Sequence, residues 1–468
     1  MKIKFCGAAQ QVTGSAHLIT LNDGFTILLD CGLYQGNNDD MDQFNETWLF
    51  DPKKLDCLLL SHAHIDHCGR IPKLVRDGFN GKIYSTHATR DIAAIMMLDS
   101  AGIQESDVKF YNKRIEKKHK SPKLHKEPLY TIEDAQNSLK FFIGYNYENW
   151  FHVHPDVKVM FRDVGHILGS GSIYVEINEN GVTKRLGFTG DIGRPSRPIL
   201  EDPKQMPQCD YLISESTYGD RDHIQAPAET DQFIKIITET CIDKKGKVII
   251  PAFSLGRTQE ILYLLDQLYN AGRLPKVPVF LDSPLAINAT EVFRIHPECF
   301  DGELHEYMMK DPNPFGFNTL QYVKTVEMSK GLNVANNPCI IISASGMANA
   351  GRIKHHLFNN IEDPKNTILI VGYCTPQTPG GVIRSGATEV KLFGEMKQIR
   401  ARVEIMDSFS AHGDRHEMLN FIKNQIPDLK HLFLVHGEID VQLKFKDFLT
   451  EAGFKNISIP HLSETVEL

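Results

Sequence analysis

The sequence has 468 residues, yet no stretch of it approaches the ~20 uninterrupted apolar residues of a membrane-spanning helix. Its opening, MKIKFCGAAQQVTG, carries two lysines and then breaks into Gly, Gln and Thr before any signal-peptide core forms. A cytoplasmic protein is therefore expected. None of the nine cysteines (6, 31, 57, 68, 209, 241, 299, 339 and 374) belongs to a CxxC pair. An odd, dispersed set in a large chain implies buried reduced thiols, and it argues against a disulfide framework. Solenoid-type repeats and low-complexity segments are also missing. Net positive charge is lacking too: 51 Lys and Arg face 59 Asp and Glu, a balance of −8. That is a mild argument against a polyanionic substrate, but local fields outweigh totals.

What the chain does have is a recurring unit, a short β-branched apolar run that stops abruptly at polar or small residues. The series is FTILLDCG (25–32), LDCLLLSHAH (55–64), RLGFTGD (185–191), DYLISEST (210–217), KVIIPAFS (247–254), VPVFLDSP (277–284), PCIIISASG (338–346), NTILIVGY (366–373), VEIMDSFSAHG (403–413) and HLFLVHG (431–437). Continuous apolar runs of this length are strands covered on both faces. In open α/β sheets, ligands gather beyond the carboxyl ends of strands, where the polar residues of these runs fall. The length predicts two large or three average domains. Four middle runs alternate with helical patterns such as TQEILYLLDQLYNAG (258–272), as in a parallel α/β domain. The start of the chain looks rich in hairpins. We expect a discontinuous domain over 1–219 and 406–468, interrupted by an inserted α/β domain over 220–405.

Six residues, His62-Ala63-His64-Ile65-Asp66-His67, carry four metal-ligating side chains. That density points to a metal centre. Two apart at a strand end, His62 and His64 can aim the same way. Asp66 and His67 follow as the chain turns into a helix, so the natural partition gives one pair to each of two ions. Dinuclear hydrolases need ligands from several segments and a shared carboxylate. Later strand ends offer His166 in DVGHILGSGS, Asp191 in FTGDIG and His436 in LVHGE. Any one of these alone is equally compatible with a structural loop residue. Asp30, after FTILL, reads either as a turn residue before Gly32 or as a carboxylate orienting a ligand histidine.

HAHIDH followed by TGD resembles the metallo-β-lactamase superfamily. ESTYGD (215–220), SFSAHGD (408–414) and LVHGE (434–438) resemble its β-CASP branch of nucleic-acid-processing nucleases, as do DCGLYQG (30–36) and LDSAGIQESD (98–107). The likeness spans nearly the whole chain. Members nearest in pattern include the nuclease subunit of the mRNA 3′-end cleavage and polyadenylation factor and its small prokaryotic relatives. The resemblance implies an αββα sandwich with an inserted parallel α/β β-CASP cap. It implies two Zn2+ per chain, one on His62, His64 and His166, the other on Asp66, His67 and His436, with Asp191 bridging. Asp66, Asp191, Glu215 and His412 would serve catalysis: a water shared by the ions attacks phosphorus, and His412, supported by Glu215, protonates the leaving oxygen. Phosphodiester hydrolysis would then leave 5′-phosphate and 3′-hydroxyl ends. A histidine at position 436 goes with the RNA-processing members, so single-stranded RNA is the expected substrate, cut endo- or exonucleolytically. A homodimer is carried as a further expectation.

In the inserted domain, PAFSLGRTQE (251–260) places Ser254, Gly256 and Arg257 at a helix start, and SASGMANAGR (343–352) does the same with Ser343, Ser345, Gly346 and Arg352. Free N–H groups and the helix dipole favour phosphate there, although capping and tight turns use the same residues. The basic segment 109–126 offers either RNA steering or a solvated helix face. Three alternatives stay open: a small-molecule metallohydrolase of thioester or lactam type, a DNA-directed β-CASP nuclease, and a catalytically silent RNA-binding subunit.

Overall fold

The computed structural model describes residues 1–36, 40–117, 125–223, 230–406 and 412–468. Each of the ten apolar runs contains a strand. The chain divides into two compact units, Met1–Asp222 with His412–Leu468, and His223–Ala411.

The first unit holds two seven-stranded sheets. Hairpins build the start of one, with Lys2–Phe5 and Thr26–Leu29 antiparallel to His17–Thr20. Alternate residues along the strands point inward, because strand side chains switch faces at each step. Ile3 and Phe5 from one sheet meet Val157, Val159, Phe161, Ile173, Val175 and Phe433 from the other in a shared core. The opposite face of the second sheet, with Met160, Leu212 and Leu434, packs on Met418 and Phe421 of helix Arg415–Ile422 and on Phe445 and Leu449 of helix Ile439–Glu451. Helix His87–Lys117 lies against strands Lys82–Thr86 and Phe142–Tyr145 of the first sheet. The layers therefore run helix, sheet, sheet, helix.

Parallel pairing sets where chemistry collects. Thr26–Leu29, Cys57–Leu59 and Lys82–Thr86 run parallel in one sheet, and Val182–Phe188, Tyr211–Ser214 and His431–Leu434 run parallel in the other. Asp30, His62, Asp191, Glu215 and His436 stand one to three residues beyond the carboxyl ends of five of these strands.

The second unit holds a six-stranded, all-parallel sheet in the order Leu320–Tyr322, Val279–Leu281, Cys339–Ser343, Lys247–Pro251, Thr367–Ile370, Arg402–Ile405, and a small antiparallel pair, Glu389–Leu392 with Glu395–Gln398. Apolar clusters cover both faces of the six-stranded sheet. The edge strand Leu320–Tyr322 escaped the sequence reading because it is short, half-buried and carries an exposed Gln321 at its centre. The VEIM run pairs with Thr367–Ile370, and the Met406 N–H donates to the Ile370 carbonyl at 2.9 Å, so this unit's contacts continue past residue 405. Among the described residues, no helix is long and apolar enough to cross a membrane.

Gly32 joins the Asp30 loop to the HAHIDH loop: a Cβ at this position would stand 1.6 Å from the Asp66 carbonyl oxygen. Backbone cannot step aside as a flexible side chain can. Gly32→Ala should lower the unfolding free energy, read from the denaturant midpoint, by at least the ~1–3 kcal/mol of overpacking. Gly102→Ala, in the open middle of helix His87–Lys117, should raise stability by ~0.5–1 kcal/mol. Equal midpoints for the two variants would contradict this packing.

Candidate metal centre

Asp30 is fully buried and works as a hub. Its carboxylate accepts from the Ser61 backbone N–H at 2.8 Å, the Ser61 hydroxyl at 2.9 Å, the Ser15 hydroxyl at 3.2 Å and His67 Nδ1 at 2.7 Å. Two consequences follow from proton counting. His67 donates from Nδ1, so its Nε2 presents a lone pair. The Ser61 proton is spent on Asp30, so Ser61 Oγ accepts from His62 Nδ1 at 3.1 Å, and His62 Nε2 presents a lone pair as well. Thr217 does the same for His436: its hydroxyl donates to the His436 carbonyl at 3.1 Å and takes the Nδ1 proton, also at 3.1 Å.

These oriented nitrogens converge in two groups. In the first, His64 Nδ1 lies 3.2 Å from His62 Nε2 and 3.1 Å from His166 Nε2. Asp191 Oδ2 stands 3.4 Å from His62 Nε2 and 3.5 Å from His166 Nε2. Four atoms held ~2.0–2.1 Å from a tetrahedral ion are ~3.3–3.4 Å apart, so this spacing suits a single metal. In the second, His67 Nε2 and His436 Nε2 face each other at 3.0 Å, with Asp66 Oδ2 at 3.4 Å from His436. Asp191 Oδ1 is 3.3 Å from His67 Nε2, is buried, and has no hydrogen-bond partner. A carboxylate oxygen left in that state needs a cation.

Electrostatics agree with the donor geometry. Burial drives His62 and His166 below the usual imidazole range and His64 down to about 3, which keeps all three neutral as metal ligation requires. At His67 burial works the same way but is overcome by Asp191 and Asp30, which hold the ring well above its ordinary value. Asp191 is buried too, which raises a carboxyl, yet the His436, His67 and His62 rings hold it well below the usual range. The carboxylates thus call for positive charge that protons supply when no ion is bound.

A third group adjoins the first. His412 Nδ1 is 3.3 Å from one Glu215 oxygen, 3.5 Å from the other and 3.9 Å from Asp191 Oδ2. Burial lowers the His412 pKa, but the Glu215 carboxylate more than reverses this and raises it to about 9, so the ring keeps its proton at neutral pH. Glu215 is in turn fixed by the Ile192 and Thr217 backbone N–H groups. Nearly all of this site is sealed, whereas the His412 side chain is 19% exposed and that of Asp66 17%. These two, with the partly exposed His64, mark the open side.

The seven expected phosphate contacts of the second unit gather at the ends of the neighbouring strands Lys247–Pro251, Cys339–Ser343 and Val279–Leu281. Ser254 Oγ is 3.3 Å from Ser283 Oγ, and Gly256, with φ of 78°, caps helix Arg257–Asn270. Arg257 is paired with Glu260 one turn on. Ser343 donates to the Asp282 carbonyl at 2.7 Å and Ser345 to Asn349 at 2.8 Å. A Cβ on Gly346 would meet the Phe253 ring at 2.8 Å. Arg352 donates to Asp282 at 2.6 Å and to the Val323 and Lys324 carbonyls. Both arginines, and the Ser343 and Ser345 hydroxyls with them, thus brace these loops from within. Of the basic segment, Lys109 to Lys117 form the last turns of helix His87–Lys117, and 118–124 lie outside the described residues, as do 407–411 of the SFSAHGD motif. Sequence reasoning missed Ser15, Ser61 and Thr217, small hydroxyls with no pattern of their own.

Family models agree with this architecture. The metallo-beta-lactamase superfamily matches residues 10–225, the Beta-Casp domain 258–383, and the Zn-dependent metallo-hydrolase RNA specificity domain 396–460. Ribonuclease TTHA0252 of Thermus thermophilus is 33% identical over 467 residues, covering 100% of both chains. An RNase J-like protein of Methanocaldococcus jannaschii is 33% identical over 95% of this chain and 94% of its own. The transcription termination factor FttA of Methanosarcina mazei is 30% identical over 94% of this chain and 67% of its own. The chain belongs to the metallo-beta-lactamase superfamily and, within it, to the Beta-Casp branch.

Proposed function

We propose that this protein is a zinc-dependent ribonuclease holding two ions, hydrolysing single-stranded RNA to 5′-phosphate and 3′-hydroxyl ends. The observation that carries the reading is the single Asp191 carboxylate facing both ligand groups, beside the Glu215–His412 pair. His62, His64 and His166 would hold one ion and Asp66, His67 and His436 the other, with Asp191 available to both. Ions bound there supply a water acidified toward neutral pH and positive charge opposite a phosphodiester.

The chain's own groups do the rest. Asp30, through His67 and Ser61, fixes two ligand tautomers. Asp66, at the open side, would accept a hydrogen bond from a water held there and so orient it. His412, protonated at neutral pH and held by Glu215, donates its proton to the departing 3′-oxygen. The Ser254 hydroxyl and the backbone at Gly256 and Gly346 receive phosphates of the strand, with Ser343, Ser345, Arg257 and Arg352 bracing them. RNA is preferred over DNA because His436 occupies the last motif and because the matched relatives include ribonucleases. A small-molecule hydrolase has no use for the Glu215–His412 pair. The burial of all nine cysteines favours a reducing compartment such as the cytoplasm.

Three measurements test this reading. His412→Ala should keep two zinc ions per chain and lose ~10²–10⁴-fold in turnover on labelled single-stranded RNA; normal turnover would remove His412 from the acid role. His64→Ala and His436→Ala should each lower the zinc content, measured by plasma mass spectrometry, from two to about one. Loss of both ions from either variant would favour one cooperative site over two half-sites.

A further inference from the structure

Behind the HAHIDH loop lies a cavity of about 250 Å3 lined by Tyr34, Phe44, Trp48, Phe50, Arg70 and the exposed Gln43, among others. Arg70 is 2% exposed, yet no described carboxylate pairs with it. It is held by carbonyls alone: Nε donates to Gly32 at 2.7 Å, and Nη1 to Phe44 at 2.9 Å and Thr47 at 3.4 Å. The Nη2 edge donates to no described residue. A guanidinium has five N–H donors, and a buried one normally spends them all.

The rings around it are already fixed. The guanidinium carbon sits 5.1 Å from the Tyr34 ring centre and 4.8 Å from that of Trp48, and Lys73 Nζ is 4.6 Å from the latter. Tyr34 stacks on Phe44 and Trp48 packs on Phe50. The polar atoms of these rings are spent inside the protein, Tyr34 OH on the Cys6 carbonyl at 3.0 Å and Trp48 Nε1 on Asp77 at 2.7 Å. What remains for a ligand is aromatic wall and one donor edge. Phosphate or carboxylate would use the donor and leave four rings without a partner. An aliphatic group would use the rings and leave the donor bare. A planar heterocycle with a carbonyl or ring-nitrogen acceptor uses both, as bases do on aromatic and arginine surfaces. The volume falls just under the ~300 Å3 where small-ligand pockets begin, which suits one base and no longer piece of strand.

We infer that this cavity is a nucleobase-binding site; the choice of base as ligand rests on the ribonuclease reading. Arg70 follows His67 by three residues and bonds to Gly32, so an occupied pocket lies directly behind the loop that carries Asp66.

The chain has two tryptophans, so Trp150→Phe leaves Trp48 as the only reporter. Guanosine and uridine, which lack phosphate and so bypass the metal centre, should change Trp48 emission saturably, while ribose 5-phosphate and inorganic phosphate should not. Gln43→Phe, on the exposed rim, should plug the mouth and weaken the response by about tenfold, a loss of ~1.4 kcal/mol, with the thermal midpoint unchanged. No response to nucleosides, an equal response to ribose 5-phosphate, or unaltered binding in Gln43→Phe would overturn the site. An oligoribonucleotide acting at lower concentration than nucleosides assigns the pocket to the substrate strand, and nucleoside 5′-monophosphates acting at lower concentration than either assign it to free product. A protein that binds nucleosides but leaves RNA uncut would sink the ribonuclease reading without touching the pocket.

Discussion

The arrangement turns on one buried carboxylate seen from two sides. Asp191 is 2% exposed, and each of its oxygens faces histidine nitrogens, Oδ2 toward His62 and His166 and Oδ1 toward His67. An isolated charge in such a place is costly unless it is compensated. Protons on the surrounding rings compensate it in part, which is why burial alone does not decide the state of His67. Divalent cations would do so fully, and the neutral lone pairs of His62, His64 and His166 are prepared for one of them.

That preparation is spread over the whole first unit. His67 and His436 meet at 3.0 Å across 369 positions of sequence. Parallel strands make the meeting possible, because their carboxyl ends open on the same side and deliver Asp30, His62, Asp191, Glu215 and His436 to one rim. Asp30 then converts position into chemistry. By accepting from Ser15, Ser61 and His67 it decides which ring nitrogens carry hydrogen and which stay bare. A ligand set of the right types without that hub would lack fixed tautomers.

The sequence made strands and ligand types legible for physical reasons that differ. Strands buried on both faces and continuously apolar, such as those in KVIIP and CIIIS, declared themselves, whereas Gly171–Glu179, largely buried but interrupted by Ser172 and Glu176, did not. The edge strand Leu320–Tyr322, half-solvated, stayed hidden too. HAHIDH stood out by density, while His166 and Asp191, each a common residue beside glycine, became informative only through the family likeness. Asp30 was ambiguous between turn and support; in the structure it takes four hydrogen bonds at once. The helix starts of the second unit were legible as loops, but not the internal partners that occupy Arg257 and Arg352, since Asp282 lies 70 positions from Arg352. The Arg70 cavity left no trace either, because its rings come from an irregular stretch with no periodicity to read.

Anomalous diffraction at the zinc edge, from crystals of the protein purified without chelators, tests the shared carboxylate most directly. Two peaks are expected, one among His62, His64, His166 and Asp191 Oδ2, the other among Asp66, His67, His436 and Asp191 Oδ1. A single peak, or two peaks of which one excludes Asp191, would contradict it.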